Sequence, residues 1–233
     1  MTQGATTGGY SQNGGLTRIW TLLGMALILV YCITPLIHRN VSLQSVRGDL
    51  QAIGKDWTLV AVLAVIGFAG QKRAAGFFGL RVPSRRDLRS MLLVLVAAAI
   101  LTALVNSLPL VQSSLRSIPK FDFAGIPFAV RVGLVLTAGV CEEFIFRGFI
   151  IEQIGEWTGS RAAGAGISLV LFVVPHAWLY GFTVALVIPA TLGGALTVLY
   201  VWRRNLPVCM LMHAILDGTM LLLVPALARS HGG

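Results

Sequence analysis

Glu142, Glu143 and Arg147 stand together in the stretch Cys141-Glu142-Glu143-Phe144-Ile145-Phe146-Arg147-Gly148-Phe149. On a helix, residues four apart lie within about 40° of each other and adjacent residues about 100° apart. Glu143 and Arg147 therefore share a face, in the favourable acid-before-base order, and neutralise each other. Glu142 points off to the side and has no counter-ion on its own helix. An unpaired carboxylate in a low dielectric is suited to general-base chemistry. Two histidines have a similar character. His176 follows Pro175 and has Phe172 one turn back on its face. Pro175 removes a backbone hydrogen bond to Leu171 and kinks the helix, which makes room for a small polar cavity. His213 and Asp217 are four apart, so they too share a face. A carboxylate beside an imidazole can orient it, charge it or share a proton with it.

The surroundings make these side chains expensive. The chain has 233 residues, 56% of them hydrophobic and 12% charged, with a mean hydropathy of +0.81. A soluble domain carries about 25% charged residues. The expected fold class is all-α, a polytopic transmembrane helical bundle. A charge at mid-helix costs about 2.5–3.5 kcal/mol on an insertion scale, and a Leu, Ile, Phe or Val offsets only about 0.3–0.6. Ionisable residues at membrane depth point to a functional site. Glu142, His176, His213 and Asp217 come from three different helices, and a common polar cluster meets the needs of all four.

Stepping outward from the cluster, the sequence predicts about seven spans, with six to eight compatible. Residues 1–17 are a polar, Gly-, Thr- and Ser-rich tail, disordered by composition. Residues 18–127 hold the N-terminal transmembrane helices and basic loops. The uncharged run 19–37 is the first span, the short run 57–70 the second, and 90–110 the third. Residues 111–127 read as an interfacial loop with room for a short amphipathic helix. Residues 128–228 form the expected catalytic bundle. They comprise the span 128–154, two antiparallel spans within the charge-free 162–202 that turn near Tyr180-Gly181, and a last span over 206–228. Small residues at Ala162–Gly166 and Ala190–Ala195 let backbones approach closely.

The net charge of +9 sits in short loops beside apolar spans, as in Lys72, Arg73, Arg81, Arg85, Arg86 and Arg89. That is how loops anchor on an anionic leaflet, not the footprint of a nucleic-acid binder. Arg outnumbers Lys fifteen to three, which with the abundant Ala and Gly suggests a bacterial protein of the cytoplasmic membrane. Cys32, Cys141 and Cys209 lie in apolar runs without a CxxC spacing and read as packing.

Glu142-Glu143-xxx-Arg147 resembles the EExxxR motif of the CAAX prenyl endopeptidase and bacteriocin-processing (Abi) family of intramembrane proteases. Phe172-xxx-His176 resembles its FxxxH motif, and His213-xxx-Asp217 its third, HxxxN or HxxxD. The likeness covers about residues 128–228. It implies an all-helical bundle with a catalytic cavity inside the membrane, acting on a peptide or lipidated-peptide substrate. By that resemblance Glu142 and His176 activate a water, and His213 with the residue at 217 stabilises the oxyanion. A Zn²⁺ ion held by Glu142, His176 and His213 is the metal-dependent alternative. Metal-free activation is the expectation, because no partners that would orient zinc ligands can be assigned. In the prenyl endopeptidases proper the third motif ends in Asn, whose amide donates. Asp217 donates only when protonated, or else orients His213. Two other classes compete with a protease. A proton-coupled transporter also buries Glu, His and Arg, but no inverted repeat is visible. A non-catalytic scaffold or immunity protein would keep the fold without the chemistry.

Overall fold

The computed structural model describes residues 11–37, 45–118 and 123–225, and these form helices and connecting turns without a strand. Several helices start where a side-chain oxygen caps the first turn. Ser45 accepts from Gly48 N at the start of α2 (Val46–Ala64), and Ser160 accepts from Ala163 N at the start of α7 (Arg161–Tyr180). Asn205 caps α9 (Leu206–Gly218) in the same way. At α3 (Arg85–Ser107), Ser84 and Asp87 form a reciprocal capping box. Each such cap satisfies a backbone N–H that the helix cannot satisfy itself. The remaining helices are α1 (Ser11–Ile37), α4 (Pro109–Ser117), α5 (Phe128–Thr137), α6 (Glu152–Thr158) and α8 (Val187–Arg203).

Six helices are long and apolar enough to cross a membrane: Gly15–Ile37, Val46–Gly70, Arg85–Ser107, Arg161–Tyr180, Val184–Arg203 and Leu206–Leu223. The chain is an integral membrane protein, a polytopic helical bundle. The motif-bearing segment, which carries Arg131, Glu142, Glu143 and Arg147, is not among the six. It nevertheless runs helically from Phe128 to Thr158, with π-helical turns over Ala138–Glu142 and Phe144–Ile151 joining α5 to α6. Side chains on α3 such as Leu92, Leu93, Ile100 and Leu104 are at least half exposed. Apolar exposure along a helix this hydrophobic marks a lipid-facing surface.

Two boundaries differ from the sequence expectation. Helix α1 begins at Ser11, inside the stretch assigned by composition to the tail, while residues 1–10 lie outside the described residues. The second span begins at Val46, not Trp57, so Arg47, Asp49, Lys55 and Asp56 are helical. The Ser45 cap and the acidic residue Asp49 in the first turn are what extend it. The interfacial stretch contains the short helix α4, and the end of the last span beyond residue 225 lies outside the described residues. Gly181, with φ 63°, ends α7 at the expected turn.

The core is aromatic and lies against the motif helix. Phe78, from the 3₁₀ turn Ala75–Phe78, is fully buried, with ring centroids 5.6 Å from Phe144 and 6.2 Å from Phe149. Helix α7 reaches the motif helix through Gly164. A Cβ there would sit 2.6 Å from the Ile151 carbonyl oxygen, whereas one at Gly166 would meet nothing within 4 Å. Two buried carboxylates tie one end of the bundle together. Asp87 accepts from Arg203 at 2.8 Å and from Asn205 at 3.2 Å. Glu152 accepts from Tyr200 at 3.0 Å and from Arg204 at 2.7 Å.

Gly164→Ala is expected to destabilise the bundle by about 1–3 kcal/mol, the cost of overpacking against a backbone that cannot yield. Gly166→Ala is expected to be neutral or slightly stabilising. Thermal midpoints of the two detergent-solubilised variants check this, and equal midpoints would remove the close α7 contact from the account.

Candidate active site

The polar cluster is built on the motif helix, where the backbone widens. The π-helical turns on either side of Glu143 replace the i→i−4 pattern with wider rings, a distortion common at functional sites. Glu143 and Arg147 still meet, as their spacing predicts: Arg147 Nη1 donates to Glu143 Oε1 at 2.6 Å, and both side chains are fully buried. Arg147 Nη2 donates to the Gly193 carbonyl of α8 at 2.8 Å. The guanidinium also stacks on the Phe172 ring of α7, 4.5 Å from its centroid. Gly193 makes room for that ring, since a Cβ at 193 would lie 2.6 Å from Phe172.

His213, on α9, contacts the same carboxylate oxygen. Its Nδ1 is 2.8 Å from Glu143 Oε1, and a carboxylate oxygen can only accept, so Nδ1 carries the proton. Nε2 of the same ring lies 3.6 Å from Asp217 Oδ2. Glu143 thus does more than neutralise Arg147: it also aims an imidazole. Glu143 Oε2 and Arg147 Nε have no hydrogen-bond partner among the described residues.

His176 is oriented differently. Its Nδ1 is 2.8 Å from the Phe172 carbonyl, again an acceptor only, which fixes the proton on Nδ1. In the neutral ring Nε2 therefore holds the lone pair, and it makes no hydrogen bond to a described residue. The preceding residue explains the local shape. Pro175 has no N–H, so the Leu171 carbonyl loses its helical donor. Cys32 Sγ, from α1, donates to that carbonyl at 3.4 Å instead.

Glu142 makes no hydrogen bond or ion pair to a described residue. It lines, together with His176, a cavity of about 470 Å³ bounded also by Thr34, Gln51, Lys55 and Trp178. Glu142 lies within electrostatic range of His213, Asp217 and Asp56. The Phe172 ring packs against both imidazoles, its centroid 4.8 Å from that of His176 and 6.3 Å from that of His213. Glu142, Glu143, Arg147, His176, His213 and Asp217 are thereby neighbours in one region, with Glu142 and His176 facing open space. Cys141 is fully buried, as are Cys32 and Cys209.

Sequence reasoning missed Gly193, whose contribution is a backbone carbonyl and carries no side-chain signal. It also missed Asp56 and Lys55 as neighbours of the site, because it started the second span at Trp57. The Ser45 cap was the available sign. Among the described residues no group of three His, Cys, Asp or Glu side chains is arranged to hold a metal. Glu143 takes Nδ1 of His213 and the Phe172 carbonyl Nδ1 of His176, which leaves Nε2 of each ring.

Comparison with known proteins bears on the same region. Residues 124–219 match the family model for the type II CAAX prenyl endopeptidase Rce1-like proteins. The matched segment contains all three motifs, so the family they resemble is the family found. No curated protein and no solved structure matches the chain.

Arg147→Met leaves Glu143 buried with half its partners and strips the Gly193 carbonyl of one of its donors, Thr197 Oγ1 being the other. Breaking a buried pair on one side costs about 3–5 kcal/mol, a loss that should show as a lower thermal midpoint. Adding Glu143→Gln should recover part of it. A double variant no more stable than the additive sum would show the two side chains to be uncoupled.

Proposed function

We propose that this membrane protein, whose residues 124–219 are an Rce1-like domain, hydrolyses a peptide bond within the bilayer. Its expected substrate is a peptide or lipidated, CAAX-like chain end, and its expected location is a bacterial cytoplasmic membrane. One observation supports the mechanism: a carboxylate, Glu142, and an imidazole nitrogen, His176 Nε2, each without a hydrogen-bond partner among the described residues, belong to residues that line the same cavity.

A water between them would be held by both acceptors. As its oxygen attacks the scissile carbonyl carbon, Glu142 takes one proton. The carbonyl oxygen becomes an oxyanion, and His213 in its doubly protonated form donates Nε2–H to it while Glu143 holds Nδ1. When the carbon–nitrogen bond breaks, the leaving nitrogen receives a proton from the water-activating pair, and a carboxylic acid and an amine leave. Asp217 at 3.6 Å from His213 Nε2 serves as a positioning residue for that ring, in place of an amide that would itself donate. The Phe172 ring packs against both imidazoles, one on the water side and one on the oxyanion side.

Positioned general bases contribute about 10²–10⁴ in rate. Glu142→Gln and His176→Ala are each expected to slow cleavage of a prenylated reporter peptide in proteoliposomes by roughly that factor, with the thermal midpoint little changed. If both variants cleaved at the wild-type rate, the assignment would fail. If Glu142→Gln instead abolished a pH-gradient-driven flux, a carrier would replace the protease.

A further inference from the structure

One group beside the proposed catalytic pair has no part in the chemistry above. Lys55 is ten residues into the span Val46–Gly70, about 14 Å along its helix from Val46 at 1.5 Å per residue. An ammonium at that depth is costly unless it meets an anion. Its nearest carboxylate does not satisfy it. Nζ lies 4.0 Å from Asp56 Oδ1, beyond hydrogen-bond reach, and that oxygen has no hydrogen-bond partner among the described residues. The ammonium rests on the Tyr31 ring instead, 4.7 Å from its centroid. Tyr31 and Asp56 lie within electrostatic range of each other. A ring face attracts a cation but accepts no strong hydrogen bond, and among the described residues Nζ makes no hydrogen bond. The side chain is 49% exposed and lines the same cavity as Glu142 and His176.

We infer that Lys55 receives the free C-terminal carboxylate of the substrate, so that the cavity recognises a chain end rather than an internal segment. Two features support an end. A cavity of about 470 Å³ falls in the size range of sites for small ligands, room for a short peptide tail. Beyond Lys55, the cavity lining consists mainly of Thr, Gln and apolar residues, with Glu142 and His176 as its only other titratable members among the described residues. Lys55 is therefore the cation that a carboxylate entering this cavity would meet. Tyr31 is its positioning residue, the ring fixing where Nζ sits. This inference rests on the peptidase reading for the identity of its ligand, but binding can be measured without cleavage.

The test uses full-length Glu142→Gln protein in detergent and a fluorescent, S-prenylated peptide made as the free acid and as the C-terminal amide. Anisotropy should show the acid binding roughly tenfold or more tighter than the amide, as expected for a charge-assisted contact. Adding Lys55→Gln should erase the difference by weakening the acid alone, and Lys55→Arg should keep most of it. Equal binding of acid and amide, binding of neither, or an equal loss for both in Lys55→Gln would overturn the inference. So would a preference for acid that survives Lys55→Gln while competition by phosphatidylglycerol disappears, which would make Lys55 a lipid-headgroup contact. The two readings fail separately. Discrimination of acid from amide without cleavage by the wild-type protein defeats the peptidase, whereas cleavage without discrimination defeats the role of Lys55.

Discussion

A single carboxylate oxygen, Glu143 Oε1, holds the site together. Arg147 and His213 both donate to it, at 2.6 and 2.8 Å, in a region where neither Glu143 nor Arg147 is exposed at all. Charges taken out of water must find partners with good geometry or the protein cannot keep them there. The partners come from separate elements. Arg147 is on the motif helix itself, His213 on α9, the Gly193 carbonyl on α8 and the Phe172 ring on α7. Four helices are thus fixed relative to one another by the demand of one buried ion pair. The orientation of the His213 imidazole follows from the same demand.

With Glu143 committed, its neighbour Glu142 is left free, and the π-helical turns on both sides of Glu143 matter for this. Adjacent residues on a helix point in different directions, so one carboxylate can be fully enclosed while the next faces a cavity. The two histidines show the same separation of duties. Each has its Nδ1 proton claimed by a fixed acceptor, a carboxylate for one and a backbone carbonyl for the other. The architecture thereby determines which nitrogen of each ring is available, and it does so with first-order hydrogen-bond geometry alone.

Much of this was legible in the sequence, for physical reasons. Hydropathy marks spans strongly, and i,i+4 spacing fixes which side chains on one helix can meet, so the bundle and the Glu143–Arg147 pair were both readable. The division between Glu142 and Glu143 was readable too, but not the second duty of Glu143 toward His213. That contact joins residues 70 apart in sequence, and no local period encodes it. Nor was the start of the second span clear. Hydropathy alone trims a helix at its first charges, and Lys55 and Asp56 were trimmed with it, although the Ser45 cap continued the helix past them. The Gly193 carbonyl illustrates a harder limit, since a backbone atom leaves no trace in residue type.

Pro175 removes one helical hydrogen bond, and the orphaned Leu171 carbonyl is taken up by Cys32 on α1. A thiol is among the weakest donors a protein has, so at this point the seam between α1 and α7 is sealed softly where a hydroxyl would have clamped it. Helices α1 and α2, which supply Thr34, Gln51 and Lys55 to the cavity wall, lie outside the segment that matches the family. The cavity wall is therefore shared between the matched segment, which supplies Glu142 and His176, and the two helices that precede it.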